Sequence, residues 1–138
     1  MDLQKEKKTL ILDANVILRY LLQDNKELYL KAEEIFNKTL LGEIKLLIPF
    51  FVFAEVVYVL QKVYKVDKPT ISKVLSDLLE IKNVKTEDKE ILKKALEVYS
   101  SQNIDFADCL LCAYSSKFEI ISFDKDVSKC IKFVKQTS

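Results

Sequence analysis

Four acidic residues, Asp13, Glu55, Asp108 and Asp124, sit inside or at the end of apolar runs in a chain that contains no histidine. A carboxylate is costly to bury without a compensating partner, and cationic residues are scarce in these segments. Asp13 follows Thr9-Leu10-Ile11-Leu12, and Glu55 lies in an eleven-residue run, 50–60, that is otherwise entirely apolar. A shared divalent cation would supply the missing charge. Oxygen-only ligands select hard ions, Mg²⁺ or Mn²⁺, over zinc. The chemistry such an ion serves is hydrolysis of a phosphodiester by an activated water.

Each acid also has a plainer reading. Asp13 and Asn15 are both able to cap the helix that follows, and Asn15 can instead orient Asp13. Asp105-Phe106-Ala107-Asp108 resembles a capping box. Asp124 and Asp126 follow an apolar run as ordinary turn and cap residues do. Glu55 is the strongest signal, because its helical neighbours at three and four residues are Phe51, Val52, Tyr58 and Val59. If the four side chains converge, their mutual repulsion raises some of their pKa values until a cation neutralises them.

Elimination supports the same chemistry. Without histidine there is no Ser-His-Asp or Cys-His scheme, and a single glycine leaves no phosphate-binding glycine loop. Cys109-Leu110-Leu111-Cys112 has the spacing of a zinc half-site, but only Cys130 remains to complete it. Three cysteines in a chain with no signal-like start are expected to be reduced thiols used for core packing. The net charge of +1 excludes a strongly basic nucleic-acid binder while leaving room for a local lysine track.

Strands and helices alternate along the chain. Apolar runs at 9–12, 45–49, near Val84, at 119–123 and at 131–134 are predicted strands. Helices are expected at 15–22, from about Leu28 to Gly42, at 51–64, after Asp67-Lys68-Pro69, after a Thr86 cap, and at 105–117, with a short one in 124–130. This order predicts an α/β fold with a parallel sheet and helices on both faces, in one domain covering 1–138. Ligands of such sheets bind at the carboxyl ends of strands, where Asp13 and Asp124 fall. No apolar stretch approaches the length of a membrane span, so the chain is expected to be cytoplasmic.

Leu12-Asp13-Ala14-Asn15, Pro49 through Glu55, Asp105 through Ala113 and Ile121-Ser122-Phe123-Asp124-Lys125-Asp126 together resemble the successive motifs of PIN-domain ribonucleases. In size the chain is similar to the VapC-type toxins among them. The resemblance covers essentially the whole chain. It implies a three-layer α/β/α domain with about five parallel strands, with Asp13, Glu55 and Asp108 as the core acids for Mg²⁺ or Mn²⁺ and Asp124 as the fourth. It further implies that Asn15 helps order the first aspartate, that Ser122 fills a small hydroxyl position, and that Asp105 and Asp126 are accessory acids. Ala14 departs from the family, which often carries a hydroxyl there.

The implied substrate is RNA, and the implied partners are a second copy of the chain and a small antitoxin protein. Arg19, Lys62 and Lys125 are the candidate phosphate contacts. A housekeeping RNA-processing nuclease would share every acid. A non-catalytic binding module is the remaining alternative, and retention of all four acids argues against it.

Overall fold

The computed structural model describes residues 8–137. It divides the chain into two compact units: the first runs up to Val56 and adds Asp77–Glu87, and the second comprises Val57–Ser76 and the chain from Asp88 onward. The division falls within two helices, α3 (Phe50–Lys62) and α4 (Lys68–Leu79).

The first unit is built on three parallel strands, β1 (Lys8–Ile11), β2 (Ile44–Leu47) and β3 (Val84–Lys85), hydrogen-bonded in the order β1-β2-β3. Parallel neighbours require crossovers, and helices α1 (Ala14–Leu22) and α2 (Lys26–Leu40) supply the first. They pack through Tyr20, whose ring lies 4.3 Å from Phe36 and 5.8 Å from Tyr29, centroid to centroid. The single glycine, Gly42, takes φ 81° just beyond α2, as expected of a residue that must leave a helix sharply. Asn83 also occupies the left-handed region at φ 73°, and its amide donates to the Thr39 carbonyl (3.0 Å), fastening the end of α2 to the entry of β3.

The second unit is helical: α5 (Lys89–Ser101), α6 (Phe106–Ala113), a 3₁₀ turn at Tyr114–Ser116 and α7 (Lys125–Thr137). Its centre is Tyr99, fully buried on α5. The Tyr99 hydroxyl donates to Gln61 Oε1 (2.7 Å), the ring meets Phe106 edge-on at 5.6 Å, and the Lys68 ammonium lies 4.5 Å above it. Lys68 also donates to the carbonyls of Gln102 (3.2 Å) and Ile104 (2.8 Å), so one cation holds the loop that leads into α6.

The α/β class with a parallel sheet is as predicted; the strand count and the C-terminal region differ. Three strands are present among the described residues, not five. Residues 119–123 form no strand, with Ile121 91% and Phe123 102% exposed. Their composition favours an extended chain, but a strand also needs a ladder partner. The last predicted strand, 131–134, is helical. Val127, Cys130 and Val134, spaced by three and four residues, form the buried stripe of α7.

Caps differ as well. Asp88, not Thr86, caps α5 by accepting from Ile91 N (3.1 Å). Glu87, which a Thr86 cap would place in the first turn of that helix, instead accepts from Phe50 N (2.8 Å) at the start of α3.

Replacing Tyr99 by Phe removes one buried hydrogen bond and is expected to cost about 1 kcal/mol in chemical denaturation, whereas Tyr99→Ala is expected to cost about 3–5 kcal/mol.

Candidate active site

In the first unit Asp13 and Glu55 occupy elements that leave the carboxyl edge of the sheet. Asp13 lies just beyond β1 as the N-cap residue of α1, yet its side chain makes no capping hydrogen bond, so the plainer reading of this carboxylate does not hold. Glu55 lies on the second turn of α3, whose N-terminus is held by Glu87 from beyond β3.

Glu55 is exposed, against the expectation of burial. The run 50–60 is not buried all round. Val52, Phe53, Val56, Val57 and Leu60 are buried, while Phe51 and Tyr58 flank Glu55 on an outer face and are 71% and 63% exposed. Asp13 and Asp124 are exposed too, and Asp108 alone of the four is half-buried. Burial therefore does not by itself demand a cation at these positions.

In the second unit the acids gather on two helix starts. Asp105 is the N-cap of α6 without a side-chain capping bond, and Asp108 is on its first turn. Asp124 precedes α7 and does cap it: Oδ1 accepts from Asp126 N (2.8 Å) and Val127 N (3.1 Å). Ser122 Oγ accepts from Asp124 N (3.1 Å), which gives that hydroxyl a definite task. Burial raises the Asp108 carboxyl above its ordinary range, and the charges of Asp124, Asp105 and Asp126 raise it further. Asp108 thus feels the charge of three other aspartates.

The remaining candidates are dispersed. Arg19 makes a two-pronged pair with Asp24, Nη1 lying 2.8 and 2.9 Å from the two oxygens. Asn15 borders a cavity of about 250 Å³ between α1 and α2, lined otherwise mainly by Val16, Leu28, Ala32 and Ile35. Lys62 ends α3 and Lys125 opens α7, both exposed. Two supporting residues escaped the sequence reading: Glu87, whose long-range cap has no local signal, and Lys68, whose partners lie 34 and 36 residues away.

The donors are all carboxylates, the chemistry of a hard-cation site, and the mutual repulsion around Asp108 is what such a cation relieves. Among the described residues, however, no three His, Cys, Asp or Glu side chains are close enough to hold a metal ion as they stand.

The cysteines also differ from expectation. Cys112 on α6 and Cys130 on α7 are joined in a disulfide, with Cα atoms 6.0 Å apart, and Cys109 is a buried free thiol.

Acids at or near helix starts in an α/β chain with a parallel sheet fit the family comparison: residues 10–131 match the PIN domain model, and the chain belongs to the PIN domain family. It is similar to a VapC ribonuclease of Aquifex aeolicus (strain VF5), 28% identical over 122 residues that cover 86% of this chain and 90% of that protein. No solved structure matches. No helix among the described residues is long and apolar enough to cross a membrane.

The folded Asp108 carboxyl holds its proton more tightly than an unfolded one. The folded state therefore binds more protons just above the ordinary aspartate range, and stability falls as pH rises through that window. In metal-free buffer Asp108→Asn is expected to raise Tm by about 2 °C at pH 7 and to leave it unchanged near pH 3, read by circular dichroism melts.

Proposed function

We propose that this chain is a divalent-metal-dependent endoribonuclease, a single PIN domain that acts in the cytoplasm as the toxin of a VapBC-type pair. The observation that carries the reading is that Asp13 and Asp105 stand at helix caps with their carboxylates unused for capping, in a chain similar to a VapC ribonuclease. A helix start that needs only a cap uses the side chain as one, as Asn25 and Asp88 do here.

Asp13, Glu55, Asp108 and Asp124 are the residues that would hold Mg²⁺ or Mn²⁺. Such an ion would supply charge for the phosphate oxygens and an acidified water for attack on the phosphodiester. The chain's own contributions are distinct. Asp124 spends one oxygen on the α7 cap and keeps the other for the site. Asp105 and Asp126 add negative potential that draws a cation in. Lys62 and Lys125 are the exposed cations available to RNA phosphates, whereas Arg19 would first have to leave Asp24. Asn15 and Ser122 support the acids beside them.

A second copy of the chain and a small antitoxin protein complete the proposed assembly. The antitoxin silences the nuclease by occupying the acidic site.

The test is cleavage of end-labelled RNA by the purified chain in Mg²⁺, Mn²⁺ or EDTA. Metal-dependent cutting that falls by roughly 100-fold or more in both Asp13→Asn and Asp108→Asn is the expected result. Cutting that persists in EDTA, or in both variants, would overturn the reading.

A further inference from the structure

Helix α7 packs against α6 and the 3₁₀ turn. Its buried residues are Val127, Cys130 and Val134, so a third of its buried stripe is one end of the disulfide to Cys112 on α6. The same two helices begin with carboxylates, Asp105 and Asp108 on α6 and Asp124 and Asp126 at α7, which are groups of like charge. The apolar contact between the two helices thus works against like charge at their starts. A covalent link between the helices settles that contest.

We propose that the Cys112–Cys130 disulfide is a positioning clasp, which keeps the start of α7 beside the start of α6 and which a dithiol reductant opens. The consequence for cation binding rests on reading these acids as part of a metal site; the clasp itself does not. Cys112 and Cys130 act through the aspartates and touch no substrate.

The pairing is specific. Cys109, one turn before Cys112, points its sulfur toward the Ile104 carbonyl (3.9 Å). Exchange of the Cys109 thiol with the bridge would only move the disulfide, since opening it takes two electrons from outside the chain. An external reductant is therefore needed. A dithiol's thiolate attacks one sulfur to form a mixed disulfide and expels the other cysteine as a thiolate, which takes up a proton. The dithiol's second sulfur then closes its own disulfide, releasing the remaining cysteine as a thiol, with two electrons and two protons transferred. Both cysteines are buried, so attack requires local opening of α7 and is expected to be slow.

Three measurements on the full chain decide the matter. Alkylation in denaturant after treatment with oxidised glutathione is expected to label one cysteine, rising to three after dithiothreitol; three labels in both samples would overturn the proposal. Reduction is expected to lower Tm by roughly 10 °C, the scale for opening an 18-residue link, and to speed amide exchange in α7. A Cys112→Ala/Cys130→Val variant, which refills the stripe, should show no such response, while Cys109→Ala should retain it. Unchanged melting and α7 exchange on reduction of the wild type would overturn the clasp.

Mn²⁺ binding by calorimetry at 25 °C, with circular dichroism confirming the folded state, is expected to weaken about tenfold on reduction and to recover on reoxidation. Equal Mn²⁺ affinity in both forms would refute the positioning role and leave the nuclease reading standing. If neither form binds Mn²⁺, the metal reading fails, and the melting and exchange results alone decide the clasp.

Discussion

Every acid of the candidate site stands at or near the start of a helix, and the rest of the arrangement follows from that placement. Backbone N–H groups left unpaired at a helix N-terminus favour negative charge, so carboxylates can be concentrated there without burial beside lysine or arginine. Asp108, the half-buried one, bears a cost: burial raises its carboxyl, and the charges of Asp124, Asp105 and Asp126 raise it further. Asp124 lowers that cost for itself by accepting two backbone N–H groups; Asp13 and Asp105 do not. The helices that carry acids therefore have to be anchored by something other than their acids.

The anchors are long-range and few. Glu87 reaches back from beyond β3 to the first N–H of α3, the helix that bears Glu55. Lys68 gathers the carbonyls of Gln102 and Ile104 just ahead of α6, while lying against the Tyr99 ring. Both are charged side chains that stabilise a turn of backbone leading into an acidic helix. Their sign matches their partner: a carboxylate at a helix start, an ammonium on free carbonyls.

The outer face of α3 shows why local hydrophobicity misleads. Phe51 and Tyr58 beside Glu55 suggested a buried carboxylate, yet both rings are exposed and Glu55 with them. In contrast, α7 reads weakly as a helix because its charges mask a short stripe, and residues 131–134 look like a strand in isolation. Including Val127 and Cys130 gives spacings of three and four residues, and the Asp124 cap fixes where the helix begins.

The sequence by itself determined the α/β class, the parallel strands at β1, β2 and β3, and most helices to within a residue or two, because periodicity is a local property. Only the tertiary structure decided that residues 119–123 have no ladder partner, that Glu55 is solvated, that Glu87 belongs to α3, and that Cys112 meets Cys130. Each of these depends on residues distant in sequence being brought together or kept apart. A strand, a long-range cap and a disulfide all require a partner that no short window of sequence contains.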